Sequence, residues 1–378
     1  MRVLMTGGGT GGHVNPALAI AHTIMENEPD SEIAFVGTSH GIENKLVPAA
    51  GYKLYHVEVQ GISRSLTPKN LKAAYLALTS PGKAKKIIRE FRPDIVIGTG
   101  GYVSWPVCKA ASEMGIPMAL HESNAVPGVA LKMLSSVADR VYLNFEGTGD
   151  ELKRKDNLLR VGNPLRGQFS TLTREEARRA LGVPDQYRYF ILSYGGSMGA
   201  EHVNDAVLDL MDRFTRQHPE VYHIHATGSI EWELCGSQFK SRGLDKCENI
   251  KLVEYIYDMP LQMAAADLTI NRAGAMTVSE LAMTGKPSIF IPSPNVTNNH
   301  QYKNAKVLED AGAALLIEEK DLGDGRLVDA VARLLSPEGE AQRRAIGENV
   351  RAFAVPDANK RIYLDVKKLV AEYKSKNK

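Results

Sequence analysis

Cysteine is scarce in this sequence. The 378 residues include three cysteines, Cys108, Cys235 and Cys247, and none of them forms a Cys-x-x-Cys pair. An odd number of cysteines without such a pair argues against both a disulfide framework and a zinc site. The cysteine content therefore fits a protein of the reducing cytosol.

An excess of charge of one sign is also absent. Lysine and arginine number 46, aspartate and glutamate number 44, and the formal net charge is +2. Proteins whose main partner is nucleic acid usually carry a strongly basic surface. Nucleic acid is therefore not expected as a partner, and partners have to be inferred from local sites.

The sequence has no hydrophobic run suited to a transmembrane helix. Residues 3–25 carry no formal charge, but five glycines and Pro16 interrupt them. A basic segment followed by a small-residue cleavage site, typical of a secretory signal, is missing as well. Any contact with a membrane is therefore expected to be peripheral.

Glycine is abundant from the first residues onward. A short apolar run leads into Gly7-Gly8-Gly9-Thr10-Gly11-Gly12-His13, and we expect a helix opened by Asn15-Pro16 to follow. Consecutive glycines let backbone N–H groups approach a diphosphate, and the positive end of the next helix favours the same charge. The segment predicts a phosphate-binding loop.

This loop also matches the dinucleotide fingerprint Gly-x-Gly-x-x-Gly, so an NAD-dependent oxidoreductase is one interpretation. That fingerprint needs an acidic residue about 20 residues further on, at the end of the second strand, to bind the ribose. The predicted second strand, 32–36, ends instead in Gly37-Thr38-Ser39. The missing acid weighs against a dehydrogenase. A turn that serves only strand-helix packing would need fewer glycines.

Runs rich in valine and isoleucine alternate with amphipathic helical stretches, which is typical of βαβ units and parallel sheets. The predicted strands are 3–6, 32–36, 94–97, 117–120, 140–143, 189–193, 221–226, 250–253, 268–270, 288–291 and 314–317. The segment RVGNPLRG at 160–167 resembles a domain boundary. We therefore predict an α/β protein with two domains, 1–163 and 164–355.

The two halves repeat one plan. Residues 190–204 resemble residues 3–15, and residues 267–274 resemble residues 94–101. In doubly wound folds such loops follow the carboxyl ends of the strands, where ligands bind. Two Rossmann-like domains are expected to face each other across a cleft that holds the active site.

The second half contains a segment suited to a nucleoside diphosphate. Residues 271–281 run from a strand end through a glycine turn into a helix, whose first N–H groups would face the phosphates. Glu280, about one turn further on, could accept both ribose hydroxyls. The alternative for Glu280 is an ordinary capping role near the helix start. Amides of the following polar segments, 291–295 and 298–305, could bind sugar hydroxyls, and a loop capped by asparagine is the alternative.

The Asp-x-Asp clamp by which many nucleotide-sugar enzymes hold a metal is absent, since no two aspartates stand two residues apart. We therefore expect no metal and no other cofactor. The charge of a departing diphosphate would be met by helix ends and a cation, for which Arg166 at the domain boundary is well placed. His13 is the candidate general base, and the segment His121-Glu122 is the second candidate.

Six segments together resemble the MurG family of bacterial cell-wall glycosyltransferases. They are GGTGGH at 8–13, HESNAVPG at 121–128, VGNPLR at 161–166, GGSMGA at 195–200, AGAMTVSE at 273–280 and HQYKNA at 300–305. This family moves N-acetylglucosamine from UDP-N-acetylglucosamine to undecaprenyl-linked lipid I, which gives lipid II. The resemblance implies a GT-B architecture in which 1–163 bind the acceptor, 164–355 bind the UDP-sugar, and a last helix, 356–378, returns to the first domain.

The resemblance also implies the residues that bind the donor. Matched position by position, they are Thr10, Gly11, Gly12, Asn124, Arg166, Ser197, Ile256, Ala275, Met276, Thr277, Val278, Ser279, Glu280 and Gln301. Some members carry a second glutamine where this chain has His300, so the sugar contact is assigned to Gln301.

The implied reaction is a single displacement with inversion at the sugar C1. The C4 hydroxyl of the N-acetylmuramoyl acceptor attacks, His13 removes its proton, and Arg166 with the N–H groups at 275–277 stabilises the departing UDP. The implied location is peripheral, on the cytoplasmic face of the cell membrane. Between Leu66 and Phe91 apolar residues alternate with lysines, which fits either a membrane-facing helix or an ordinary solvated one. A UDP-sugar epimerase or hydrolase and a non-catalytic membrane scaffold remain alternatives.

Overall fold

The structure, a computed structural model, describes residues 1–60, 68–165, 169, 172–196 and 199–376. The chain divides into two compact units, one formed by Met1–Arg166 with Asp357–Lys378 and the other by Gly167–Pro356. Within the described residues, no helix combines the length and apolar character needed to cross a membrane.

The first unit is built on a parallel sheet. Its strands in the described residues are β1 (Arg2–Thr6), β2 (Glu32–Gly37), β3 (Lys53–His56), β4 (Ile95–Gly98), β5 (Met118–Glu122), β6 (Arg140–Leu143) and β7 (Leu158–Arg160). They pair in the order β3-β2-β1-β4-β5-β6-β7, all parallel. The helices are α1 (Gly11–Asn27), α2 (Glu43–Ala49), α3 (Pro68–Phe91), α4 (Ser104–Glu113) and α5 (Val129–Leu134). The strand order reverses at β1 and β4, as in doubly wound folds.

Both faces of this sheet are covered, which explains the continuous apolar runs of its central strands. Val3 and Met5 pack into the cluster that contains the buried side of α1, whereas Leu4 points into the opposite cluster beneath α4. Successive strand residues face opposite sides of a sheet, so one apolar run supplies both cores.

The second unit is a smaller sheet of the same kind. Its described strands are β8 (Tyr189–Tyr194), β9 (Val221–Ala226), β10 (Ile250–Val253), β11 (Leu268–Asn271), β12 (Ser288–Phe290) and β13 (Leu315–Leu316). They pair in the order β10-β9-β8-β11-β12-β13, all parallel. Its helices are α6 (Arg174–Ala180), α7 (Glu201–Arg213), α8 (Trp232–Ser241), α9 (Met259–Ala265), α10 (Ala275–Thr284), α11 (His300–Asp310), α12 (Arg326–Leu335) and α13 (Glu340–Arg351). The predicted pair of Rossmann-like α/β domains is confirmed.

The last helix, α14 (Ala358–Lys376), belongs to the first unit. Asn359 accepts the N–H of Leu165 at 3.1 Å and donates to its carbonyl oxygen at 3.0 Å. Asp365 accepts a hydrogen bond from the hydroxyl of Tyr142, a fully buried residue of β6, at 2.9 Å. These contacts attach the end of the chain to the sheet on which the chain began.

Candidate functional site

The glycine-rich segment after β1 forms a short loop and the first turn of α1. Gly9 has a φ of +84°, which glycine adopts without strain. The helix begins at Gly11, so the predicted opening at Asn15-Pro16 is wrong. Proline is common at helix starts, but here Pro16 lies inside the helix, where its missing N–H removes one hydrogen bond. The N–H groups of Gly11 and Gly12 therefore lie in the first turn, where no earlier helix carbonyl can accept them.

The loop after β4 packs directly against this segment. A Cβ atom on Gly101 would lie 2.4 Å from the carbonyl oxygen of Gly8, and one on Gly100 would lie 2.5 Å from Cδ2 of His13. Thr99 Oγ1 donates to the carbonyl oxygen of His13 at 2.8 Å. Glycine at 100 and 101 thus allows the two loops to meet, and their contact fixes the position of the His13 ring.

The hydrogen bonds of His13 define which ring nitrogen is basic. Its Nδ1 lies 3.1 Å from the carbonyl oxygen of Gly8 and 3.3 Å from Oγ1 of Thr10. A carbonyl oxygen can only accept, so in the neutral ring Nδ1 carries the hydrogen and Nε2 carries the lone pair. The loop therefore holds the imidazole in the tautomer that a general base acting through Nε2 requires.

A buried glutamate that the sequence analysis missed supports the same loop. Glu43 is fully buried; its Oε2 accepts the N–H of Gly9 at 2.9 Å, and its Oε1 accepts both the N–H and the hydroxyl of Thr38 at 2.8 Å. Burial raises the pKa of this carboxyl, but the hydrogen bonds from Gly9 and Thr38 lower it by more. The loop is therefore supported by a carboxyl at the start of α2, not by one at the end of β2, and no motif marks it in the sequence.

The segment after β5 holds Asn124. Glu122 Oε1 accepts the Asn124 N–H at 3.0 Å and its Nδ2 at 3.1 Å, and Oε2 accepts the N–H of Gly128 at 2.8 Å. His121 is 1% exposed, with Nε2 3.2 Å from the carbonyl oxygen of Gly162, and burial lowers its pKa to about 4. Both His121 and Glu122 thus serve the local structure, which makes them poor substitutes for His13 as a base.

In the second unit, the segment after β11 turns at Gly274 into α10. Gly274 has an extended backbone, with φ −62° and ψ 140°, and the helix starts at Ala275. Ala275, Met276 and Thr277 make up the first turn, so their N–H groups have no acceptor within the helix. Val278 and Ser279, which follow in the same helix, are 1% and 9% exposed.

Glu280 is the sixth residue of α10. A capping box requires the acid at the third helix position, which is Thr277, so the capping alternative for Glu280 does not apply. The Glu280 side chain reaches the surface only in part, and the removal of water around it raises its pKa to about 8. The pKa of this carboxyl therefore lies near neutral pH, and a bound ligand that favours the charged form would ionise it.

Two buried polar groups lie on the same side of the sheet at the carboxyl end of its central strands. The amide of Asn271 has no hydrogen-bond partner among the described residues, and Asn271 on β11 stands in register with Tyr194 on β8. Burial, and then the nearby charge of Glu280, raise the pKa of Tyr194 well above its usual value. Unpaired buried polar groups are rare in proteins, so such a group marks the carboxyl ends of β8 and β11 as a polar region. Both residues lie in segments that the sequence analysis singled out, 190–204 and 271–281, but only burial in the folded unit distinguishes them from their neighbours.

Two further predicted donor contacts lie at the same edge of this sheet. Gln301, at the start of α11, accepts the N–H of Ser293 through Oε1 at 2.9 Å, so its NH₂ group is the part suited to binding a ligand oxygen. Ile256 follows β10 and is 7% exposed, between the exposed Tyr255 and Tyr257.

Two predicted site residues, Arg166 and Ser197, lie outside the described residues. Arg272, which directly follows β11, is paired internally: its Nη1 donates to the carbonyl oxygen of Ile291 at 2.9 Å and its Nη2 to Glu319. In the described part of the chain, no three His, Cys, Asp or Glu side chains are grouped as metal ligands.

The predicted site residues that the structure describes lie at the carboxyl edges of two sheets. In the first unit, Thr10, Gly11, Gly12 and His13 follow β1, and Asn124 follows β5. In the second unit, the residues of α10 follow β11, and Ile256 and Gln301 lie in the segments after β10 and β12. Glycine turns and helix starts at such edges are suited to binding phosphate groups.

Comparison with protein families identifies both units. Residues 3–143 match the glycosyltransferase family 28 N-terminal domain, and residues 190–362 match the glycosyltransferase family 28 C-terminal domain. The chain is 42% identical over 370 residues to the UDP-N-acetylglucosamine--N-acetylmuramyl-(pentapeptide) pyrophosphoryl-undecaprenol N-acetylglucosamine transferase of Acetivibrio thermocellus, with 98% of each chain covered.

Solved structures show the same relationship. The crystal structure of Acinetobacter baumannii MurG superposes with a TM-score of 0.76 at 28% identity, covering 97% of this chain and 99% of that one. A UDP-GlcNAc 2-epimerase from Neisseria meningitidis reaches a TM-score of 0.64 at 14% identity, with 97% of this chain and 100% of that one covered. The second likeness shows a shared fold alone. The chain therefore belongs to glycosyltransferase family 28, in the group of the MurG glycosyltransferases.

Proposed function

We propose that this glycosyltransferase moves N-acetylglucosamine from UDP-N-acetylglucosamine to undecaprenyl-linked lipid I and so forms lipid II for peptidoglycan synthesis. The observation that carries the proposal is the 42% identity, over 98% of both chains, to an enzyme named for this transfer. The epimerase alternative is not favoured, because its support is a fold likeness at 14% identity.

The proposed chemistry is one displacement at the sugar C1. The bond from C1 to the phosphate oxygen of UDP breaks, its electron pair leaves with UDP, and the C4 oxygen of the N-acetylmuramoyl group bonds to C1 from the opposite face. Nε2 of His13 takes the hydroxyl proton, and the hydrogen bond from Nδ1 to Gly8 supports this role.

The proposed donor contacts follow from the chemistry of the segments described above. N–H groups of Ala275, Met276 and Thr277, together with Arg166, stabilise the departing diphosphate. Glu280 accepts the ribose hydroxyls and Ile256 lies beside the uracil. Val278, Ser279, Thr10, Gly11, Gly12, Ser197 and the amides of Asn124 and Gln301 complete the donor contacts, the last two binding the sugar.

We also propose peripheral attachment of the first unit to the cytoplasmic face of the membrane. Tyr75 and Leu78 of α3 are 65% and 83% exposed, which is unusual for large apolar side chains and suits an interfacial helix. Of the sequence segment considered for this role, residues 66 and 67 and the side chains of 68–74 and 77 lie outside the described residues.

The proposed function is tested by incubating the protein with UDP-N-acetylglucosamine and a short-chain lipid I analogue, measuring UDP release and disaccharide product together. We expect both in equal amounts, and neither without the acceptor. UDP release with free sugar in the absence of acceptor would indicate a hydrolase, conversion to another UDP-sugar an epimerase, and no reaction a scaffold.

Transfer is expected to continue in the presence of EDTA. Helix N-termini and Arg166 would meet the diphosphate charge without a metal, and the sequence has no Asp-x-Asp clamp. The measurement is the initial rate with and without chelator, followed by addition of Mg²⁺ or Mn²⁺. A rate that falls to background in EDTA and returns with either ion would assign the charge stabilisation to a metal.

A further inference from the structure

A row of polar side chains runs through the core of the second unit, beneath the start of α7. Polar groups in a protein core are costly unless each is hydrogen-bonded. Its members, all at most 1% exposed, are Thr215, His223, Ser193, His225, Asn204 and Thr227, and we call them the histidine chain. They come from β8, β9, α7 and the loops that follow α7 and β9, so the histidine chain joins five parts of the unit, with Thr227 taking part through its backbone carbonyl.

The members are linked end to end. The contacts are Thr215 Oγ1 to His223 Nδ1 (3.2 Å), His223 Nε2 to Ser193 Oγ (2.8 Å), Ser193 Oγ to His225 Nδ1 (2.9 Å), His225 Nε2 to Asn204 Oδ1 (3.0 Å) and Asn204 Nδ2 to the Thr227 carbonyl oxygen (3.1 Å).

The last contact sets the direction of the others. The Thr227 carbonyl can only accept, so Asn204 donates through Nδ2 and accepts through Oδ1. The hydrogen of neutral His225 is therefore on Nε2, and its Nδ1 accepts from another group. Burial lowers the pKa of His225 to about 4, so the ring is neutral at physiological pH.

The remaining hydrogens follow in turn. The Ser193 hydroxyl donates to Nδ1 of His225, because the other acceptor within its reach, the Ile224 carbonyl oxygen, is further away at 3.4 Å. The Ser193 oxygen then accepts the hydrogen of His223 Nε2. Nδ1 of His223 then accepts from the Thr215 hydroxyl, and burial lowers the pKa of His223 well below its usual value. With both rings neutral, each hydrogen has one defined acceptor.

The histidine chain ends where the glycine loop after β8 meets α7. Gly199 has a φ of +94°, and a Cβ there would lie 2.3 Å from the same Thr227 carbonyl oxygen that Asn204 contacts. The Thr227 N–H in turn donates to the carbonyl oxygen of Val253 at 3.0 Å. One backbone carbonyl thus fixes the end of the loop and the first turn of α7.

We propose that His225 is a positioning residue for donor binding: through Asn204 and Thr227 it holds Gly199 and the start of α7 in the arrangement that the diphosphate of the sugar nucleotide requires. The proposal rests on the proposed function, in which the second unit binds the UDP-sugar. Helix starts after a β-strand provide N–H groups and a favourable dipole to phosphates, so a shift of this turn weakens diphosphate binding.

The test compares variants that cut the chain at its two ends. His225→Phe and Asn204→Ala cut it next to Thr227, His225→Gln keeps an N–H donor close to the position of Nε2, and Thr215→Val cuts it at the far end. For each variant we would measure the UDP dissociation constant by calorimetry, the KM for donor and acceptor, kcat and Tm, all well below Tm.

We expect His225→Phe and Asn204→Ala to weaken UDP and raise the donor KM about three- to tenfold while the acceptor KM is unchanged. His225→Gln should restore most of the loss. Thr215→Val should lower Tm and leave UDP binding as in the unchanged protein. If His225→Phe does not fold, Asn204→Ala carries the same expectation.

Equal losses of Tm in all variants without a change in UDP affinity would overturn the proposal, because the chain would then serve stability alone. Failure of the proposed function can be distinguished from failure of this proposal. If the protein binds UDP but forms no disaccharide, calorimetry on the variants still tests the role of the histidine chain in UDP binding. A protein without affinity for UDP overturns both.

Discussion

Replacement of His13 by alanine is expected to lower kcat by about 10²- to 10⁴-fold while UDP affinity stays nearly the same. Proton removal from the acceptor hydroxyl matters only in the transition state, so its loss appears in the rate and not in donor binding. The contact of Nδ1 with Gly8 holds Nε2 as the basic nitrogen, which supports this expectation. The measurement is kcat with saturating substrates, beside UDP calorimetry on the same variant.

His22→Ala is the matched control. His22 lies on the same helix, but its side chain is 66% exposed and pairs with Glu26 at 3.2 Å, so its removal should change neither quantity. A large loss of UDP affinity in His13→Ala would contradict a base and indicate a phosphate contact or a loop-shaping role. The search for a base would then have to leave His121 aside, since that ring is buried and bonded to Gly162.

Replacement of Glu280 by alanine is expected to weaken donor binding about ten- to a hundredfold. Hydrogen bonds between a carboxylate and ribose hydroxyls are worth roughly 1.5 to 3 kcal/mol, and this free energy sets the change in affinity. The measurement is the donor KM together with UDP affinity. Glu233→Ala, which removes an exposed glutamate of α8, is the control and should leave both unchanged. An unchanged donor KM in Glu280→Ala would mean that the nucleotide binds elsewhere.

The raised pKa of Glu280 adds a pH dependence to this expectation. Below its pKa of about 8 the free carboxyl is mostly protonated, and it must ionise to accept two ribose hydroxyls. Affinity for UDP-N-acetylglucosamine, whose phosphates do not titrate here, should therefore rise with pH up to this pKa, by at most about tenfold per pH unit. In Glu280→Gln the slope should disappear. A slope that persists in Glu280→Gln would assign it to another group.

The strands that the sequence predicted best are the central ones, and the two it missed are both sheet edges. β1 and β4 are covered on both faces, so their residues are continuously apolar and easy to recognise. β3 and β7 end the first sheet at either side, and their side chains are partly or fully exposed. A short edge strand with exposed side chains has no distinct apolar pattern, because only backbone pairing with its neighbour defines it.

The start of α1 shows a similar limit. Proline after asparagine suggested a helix beginning at Asn15, but the structure begins the helix at Gly11. The local preference of Asn15-Pro16 for a helix start is weaker than the contacts that the loop after β1 makes with Glu43 and with the loop after β4. Those contacts come from residues far along the chain, and no local pattern reveals them.

The sequence by itself determined the elements of the candidate site. The turns between these strands and helices need backbone conformations and close approaches that few residues other than glycine allow. Glycine runs at these turns can therefore be recognised in the sequence. Only the tertiary structure decided the state of the side chains. The tautomer of His13, the raised pKa of Glu280, the support from Glu43 and the histidine chain all depend on burial and on hydrogen-bond partners distant in sequence. Charge and proton position are set by the surrounding atoms, and those are assembled only when the sheets form.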